Sequence, residues 1–166
     1  MLKPTVLEGR ARVVPTPDVD TDMIFHNKHL HITDPSAMGR FIFGNLKGWE
    51  NFPNESQPGD ILIVGRNFGC GSSRQQAVDG FIALGVAAIV GESFGAIYRR
   101  NAINAGCPLI ECPGILKSGI TDLSKIRLDL TTGVISNSDG AVVATGKPMT
   151  EVQSDVYQAG GLLELV

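Results

Sequence analysis

The sequence predicts an α/β fold, a partly parallel sheet layered with helices and extended by a β-rich C-terminal part. Three observations carry that prediction. Two strand–loop–helix units follow one another, Ile61 to Leu84 and Val86 to Ala105, and successive units of this kind build parallel sheets. Their strands, Ile61-Leu62-Ile63-Val64 and Val86 to Val90, are continuous apolar runs, as burial on both faces requires. From Thr121 onward the period shortens to two, with Ile126-Arg127-Leu128-Asp129-Leu130 alternating apolar and charged residues.

Val6 to Val14 reads as an opening strand stopped by Pro15-Thr16-Pro17. A cluster of short acidic and hydroxyl residues, Asp18-Val19-Asp20-Thr21-Asp22, precedes the apolar Met23 to Phe25. His26 to Asn54, rich in His, Asn, Gly and Pro, reads as a long loop carrying a short helix, started by Asp34-Pro35-Ser36 with Asp34 or its neighbour as cap. Pro58-Gly59-Asp60 turns the chain into the first buried strand, and Gly65 to Gly71 is the loop that follows it. The helix predicted over Arg74 to Leu84 sets Ala77, Phe81 and Leu84 on one side and stops at Gly85. A second helix, Ala96 to Ala105, is ended by Gly106 and Pro108, and Pro108-Leu109-Ile110 begins another strand. In the tail, Thr131-Thr132-Gly133 turns into Val134-Ile135, Asp139-Gly140 marks a hairpin before Ala141-Val142-Val143, and Val152 to Gly160 forms a last helix. No repeat, low-complexity stretch or linker divides the chain, so residues 1–166 are expected to form one domain.

Composition narrows the classes of function. With 43% hydrophobic and 19% charged residues the chain suits a packed core, which argues against disorder. A formal charge of −3 gives no electrostatic reason to expect nucleic acid or an anionic membrane as partner. No apolar run approaches the roughly 20 residues of a membrane span, and Met1-Leu2-Lys3-Pro4-Thr5 lacks the apolar core of a secretory signal. A cytoplasmic protein is expected. Three cysteines, Cys70, Cys107 and Cys112, make no even-numbered disulfide framework, and Cys-x4-Cys after a long gap lacks the tight pairing common in cluster sites. Buried free thiols are the better reading, and no metal ligand is assigned to this chain.

The segment richest in chemistry is Gly65-Arg66-Asn67-Phe68-Gly69-Cys70-Gly71-Ser72-Ser73-Arg74. A buried strand runs into a glycine-rich turn, with two serines and an arginine where a helix is predicted to begin. Helix N-termini present unpaired N–H groups and favour negative charge, and an arginine adds a two-pronged donor matched to a carboxylate. That combination describes an anion site. The residues fit a second reading equally well, in which Ser72 caps the helix and Arg74 pairs with a structural carboxylate. A P-loop is excluded because its lysine is missing, and a dinucleotide fingerprint because Arg74 stands at the third glycine position.

Other clusters carry the same ambiguity. Asp20, Thr21 and Asp22 offer hard oxygen ligands, or an Asx-type turn bonding backbone N–H groups. His26, His29 and His31 invite a zinc reading, but no cysteine or carboxylate stands at ligand spacing beside them, which favours a solvated loop. Asn101 and Asn104 share a helical face suited to satisfying loop carbonyls, and the lone Trp49 reads as a loop anchor.

Three ordered blocks resemble one family. Asn67 to Arg74 is similar to the signature of the aconitase swivelling domain, in the form found in isopropylmalate isomerase small subunits. Asp18-Val19-Asp20-Thr21-Asp22-Met23-Ile24 resembles that family's N-terminal block, and Glu92 to Gly106 resembles its later Ser-Phe-x-x-Ile…Asn…Asn-x-Gly block. The resemblance implies an aconitase-like swivelling domain, with β/β/α layers, that works as a small subunit in leucine biosynthesis. It implies a hydro-lyase that moves a hydroxyl between neighbouring carbons of a hydroxy dicarboxylate. It also implies a large-subunit partner holding a [4Fe-4S] cluster through three cysteines, whose open iron binds the substrate hydroxyl and carboxylate. By position, Ser72 would be the catalytic base, Ser73 and Arg74 would bind substrate carboxylate, and Asp20 and Thr21 would line the active-site rim.

The loop after the Asp-Thr-Asp block would touch the part of the substrate that distinguishes one acid from another, which nominates Lys28, His29 and His31. Here the chain departs from the family pattern, with His26 for Pro and His29 for Tyr, and Gln75-Gln76-Ala77 replaces the frequent Glu-His-Ala. Isopropylmalate is the first expectation for the substrate. Homoaconitate, citramalate and dimethylmalate are its enzymatic rivals, and a carboxylate-binding regulatory module is the non-enzymatic one.

Overall fold

The computed structural model describes residues 2–166 of the chain. Its elements follow from where apolar side chains can be buried. The opening run forms strand β1 (Val6–Val14). After the prolines, Asp20 caps a single helical turn, α1 (Thr21–Ile24), by accepting from the Met23 N–H. The long loop expected over 26–54 is more structured than its composition suggests. It contains three short 3-10 turns, one of them capped by Asp34 as expected, and a further turn of helix, α2 (Phe52–Glu55).

Strand β2 (Ile61–Val64) falls where the sequence placed it. The next helix, α3 (Gln76–Ala83), begins two residues later than expected and ends at Gly85 with φ +79°. Strand β3 (Ala88–Gly91) starts two residues later and ends one residue later than expected, with the Ala87 N–H already bonded to the Asp60 carbonyl just ahead of it. Then come α4 (Ala96–Asn104), β4 (Leu109–Glu111), β5 (Lys125–Asp129), β6 (Val134–Ser136) and β7 (Val142–Thr145). The last expected helix is α5 (Glu151–Ala159), opened by a reciprocal capping box between Thr150 and Gln153. A short α6 (Leu162–Leu165) follows, which the sequence reading had not distinguished.

All seven strands lie in one sheet, ordered β4-β3-β2-β1-β5-β6-β7. β1 is the seam. Its second half, Ala11 to Val14, pairs parallel with β2, while its first half, Val6 to Arg10, pairs antiparallel with β5. β2, β3 and β4 continue in parallel and β5, β6 and β7 in antiparallel fashion, which gives the partly parallel sheet and β-rich tail. The sheet curls. Beyond β7 the Lys147 N–H donates to the Glu111 carbonyl of β4 at 2.8 Å, so one edge nearly meets the other.

Alternate residues of the parallel strands serve two cores. Ile61, Ile63, Ala88 and Val90 pack with Ile126, Leu128 and Ile135 inside the curl. Leu62, Val64 and Ile89 pack on the other face against Val78 and Phe81 of α3, Tyr98 and Ala102 of α4, and the arm that follows α1. Phe43 is the hub of that arm. It is fully buried, and ring centroids of Phe52 and Phe81 lie 5.1 and 5.4 Å away at steep interplanar angles. Its φ of +61° is a left-handed conformation that packing must hold in place for so bulky a residue.

Phe43→Ala is expected to destabilise the chain by about 3–5 kcal/mol through the cavity it leaves. Urea denaturation measures this, and a loss under about 1 kcal/mol would show that the arm is not part of the cooperative core.

Candidate functional site

The chain leaves β2 at its C-terminal end, the edge where ligands of open parallel sheets gather. Two neighbouring segments hold the loop that follows. On one side the Gly69 N–H donates to the Val19 carbonyl at 2.7 Å, the Thr21 N–H donates to Cys70 O at 3.0 Å, and Asp20 and Cys70 form a parallel bridge. The buried Thr21 hydroxyl adds a bond to Ser72 O at 2.9 Å. On the other side Phe68 forms a bridge with Phe94, and the Ser93 Oγ accepts from the Asn67 N–H at 2.8 Å. The three sequence blocks therefore converge on one loop. Gly69 is required there: its φ is +79°, and an added Cβ would lie 2.2 Å from the Tyr98 ring.

Arg74 is the fixed point of the site. Its side chain is 10% exposed, and its Nη1 donates to Asp22 Oδ1 at 2.9 Å and to the Phe25 carbonyl at 2.7 Å. The structural pairing weighed from the sequence is thus realised, and the partner is Asp22, for which the sequence suggests a hard-oxygen ligand or a turn residue but not the arginine's counter-charge. Asp22 also accepts from the Asn27 N–H at 2.8 Å and from Asn45 Nδ2 at 3.0 Å. Partial burial pushes its carboxyl up, but the bonds from Arg74 and Asn27 and the nearby His26 and Arg74 outweigh that and hold it below the usual range.

The serines differ from one another. Both are exposed on the loop. Ser73 Oγ accepts from Asn101 Nδ2 at 3.1 Å, so Asn101 serves a loop hydroxyl rather than a loop carbonyl. Ser72 makes its bond through its backbone carbonyl, to Thr21, and its hydroxyl faces outward without a partner among the described residues. Neither serine caps α3. The helix starts at Gln76 with no side-chain cap, which sets Ser72 four residues ahead of it. Because the dipole's influence fades within about a turn, the helix end offers this hydroxyl little support, and Arg74, two residues on, is the cation nearest to it in the chain.

The 26–31 segment lies beside the same loop, held by Arg74 at Phe25 and by Gln76 Nε2 at the Leu30 carbonyl, 3.3 Å away. Lys28 and His31 are exposed. His29 packs its ring on Phe41 with centroids 4.1 Å apart, and burial, together with the charges of Lys28, His26, His31 and Arg40, lowers its pKa. It therefore braces the segment as a neutral ring. Asp20 is spent on capping α1. The thiols do not converge: Cys107 and Cys112 belong to the two separate cores, and Cys70 lies in the loop. Burial pushes the Cys107 thiol up to about 12. These side chains do not fit an iron–sulfur cluster. Trp49 packs at the edge of Phe43, as a loop anchor should.

Asp22→Asn is expected to loosen both Arg74 and the 26–31 segment. Because the folded carboxyl titrates below its unfolded value, its stabilisation is present above the unfolded pKa of about 3.9. It fades as pH falls through the lower folded value. The difference in stability between the parent and the variant should accordingly be constant above about pH 5 and shrink in acid. A pH series of urea melts checks this, and a difference that grows as pH falls would contradict it.

The comparisons with known proteins agree with this geometry. The sequence profile of the aconitase C-terminal domain matches residues 44–113. An isopropylmalate/citramalate isomerase small subunit of Methanocaldococcus jannaschii is 38% identical over 146 residues, 88% of this chain and 85% of that protein. A 3-isopropylmalate dehydratase small subunit of Methanopyrus kandleri is 37% identical over 162 residues, 97% of this chain and 92% of that protein. A crystal structure of 3-isopropylmalate dehydratase from M. jannaschii superposes with a TM-score of 0.86 at 32% identity, covering 96% of this chain and 92% of that one. The resemblance first visible in three short blocks extends through the curled sheet, and the chain belongs to the family of 3-isopropylmalate dehydratase small subunits, built on the aconitase C-terminal domain.

Proposed function

We propose that this chain is the small subunit of an aconitase-type hydro-lyase that isomerises 2-isopropylmalate to 3-isopropylmalate by dehydration and rehydration, in the cytoplasm, as a step of leucine biosynthesis. The observation that carries this reading is the outward, unpartnered Ser72 hydroxyl two residues from a guanidinium already fixed in place, on a loop built from the family's own blocks. Residues 1–166 act as one swivelling domain that closes on a large subunit. The [4Fe-4S] cluster belongs to that partner, in keeping with three thiols here that lie apart.

This chain's share of the chemistry is a proton and a carboxylate. Ser72 removes the proton from the carbon next to a substrate carboxylate and returns one in the hydration step. Ser73 and the Arg74 donors not engaged by Asp22, Nη2 and Nε, take the carboxylate. An exposed serine alkoxide is costly in water, so the base forms only when docking of the large subunit excludes solvent and leaves Arg74 as the nearest compensating charge. Asp20 and Thr21 form the rim by holding the loop, and Lys28, His29 and His31 meet the substrate's distinguishing group. The M. jannaschii relative named for both isopropylmalate and citramalate favours citramalate as the second substrate.

The test is steady-state kinetics of the co-expressed two-subunit complex, assayed anaerobically on isopropylmalate and on citramalate. Ser72→Ala should lower kcat by about 10²–10⁴-fold with KM little changed, whereas Arg74→Lys should raise KM as well. Near-normal turnover by the Ser72→Ala complex would remove Ser72 from the role of base.

A further inference from the structure

A wide cleft lies away from the Ser72 loop. It has a volume of about 610 Å³ and opens between the first half of β1, the Gln57–Asp60 turn, β5 and the turn after β6. Because β1 and β2 run parallel, this is the N-terminal end of those strands, and the Ser72 loop is at the C-terminal end. The cleft's bed is defined by register. Glu8 stands opposite Arg127, which stands opposite Ser136, and in the next row Arg10 stands opposite Lys125. Cross-strand partners point to the same face with Cβ atoms about 5 Å apart. Three cations and one carboxylate therefore share a small patch of one sheet face.

The charges on this patch are unequally satisfied. Arg10 is neutralised: its Nε and Nη2 donate to the two oxygens of Asp60 at 3.0 and 2.9 Å, and the same carboxylate accepts from the Gln57 N–H at 2.9 Å. Asp60, 2% exposed, is thereby committed to the wall. Lys125 and Arg127 are exposed and form no ion pair among the described residues, including with Glu8. With Arg10 held by Asp60, Lys125 and Arg127 remain as two exposed cations faced by the single carboxylate of Glu8, an excess of positive charge that an anion would balance. The floor is backbone. At Gly9 the strand touches the turn so closely that a Cβ would lie 2.1 Å from the Gly59 carbonyl, which keeps side chains out of the bottom of the cleft.

We propose that this cleft binds a small dianion bearing carboxylate or phosphate groups, held by Lys125 and Arg127 as mobile donors and oriented by the fixed Arg10–Asp60 pair. A monoanion would be opposed by Glu8 with little net gain, whereas a dianion outweighs it. The room available exceeds that of a lone ion, so the ligand is an organic acid or a phosphorylated metabolite.

The test is an NMR titration of the full chain with assigned amides, one arm using inorganic phosphate and the other malonate. Saturable shifts are expected at Lys125, Arg127 and Gly59, and the anion that saturates at lower concentration identifies which oxyanion chemistry the cleft prefers. The double variant Lys125→Gln/Arg127→Gln should weaken that binding at least about tenfold. Both side chains are exposed, so its melting temperature should stay close to the parent's. Shifts confined to residues 71–75, shifts that remain linear in both arms, or undiminished binding by the double variant would each overturn the proposal. The parent titration decides the question even if the variant folds poorly.

Discussion

Everything at the functional end of this molecule depends on a short lamination of backbone, in which Val19 to Thr21 lies along Gly69 to Ser72. Those bonds satisfy polar groups on two segments that would otherwise be irregular and half-buried, a state that costs free energy whenever a donor or acceptor is left without a partner. They also fix the direction in which the chain leaves β2, and with it the side on which Ser72 presents its hydroxyl. Thr21 shows how closely matched the two segments are. A residue 3% exposed keeps its hydroxyl only because a carbonyl stands opposite, and that carbonyl is Ser72's own. Loop and turn make one another possible.

Against that background the Asp22–Arg74 pair has a double role. A guanidinium only 10% exposed needs a counter-charge, and Asp22 supplies it while tying down Asn27 and Asn45. For the carboxylate role proposed for Arg74, fixing the side chain in this way would reduce the entropy lost on binding, which is the physical content of preorganisation. The arrangement also spends one of the arginine's nitrogens on the fold. A lysine would keep the charge but could not serve a structural acceptor and a ligand from separate, rigidly spaced nitrogens.

Much of this was legible in the residues, and what was not has definite causes. The buried strand Ile61–Val64 could be read directly because a continuous apolar run between turn signals has few other uses. The period-two tail announced β5 for a similar reason. The start of α3 was misjudged because serines ahead of an apolar periodic run look like caps, whereas here the Thr21 hydroxyl donates to the Ser72 carbonyl and Asn101 donates to the Ser73 hydroxyl. The arm through Phe43 was misread for a subtler reason. Its order comes from rings meeting across long sequence separations, and composition registers only the glycines and asparagines between them. Family resemblance nominated the candidate site residues, but only the structure distinguishes a serine that bonds its neighbour from one that does not, or reveals Asp22 as the arginine's partner.

The divided pairing of β1 has a consequence for how the chain comes into being. The strand leaves the ribosome well ahead of β5, in which its first half finds its partner more than a hundred residues later. At synthesis rates of about 5–20 residues per second that is a wait of several seconds or more. Meanwhile Leu7 and a row of unpaired backbone groups remain open to mispairing. The charges of Glu8, Arg10 and Arg12 along the same strand work against such pairing, as charged positions do on exposed edges of mature sheets. Residues that later bed a cleft and a buried ion pair thus begin their existence as guards of a nascent strand.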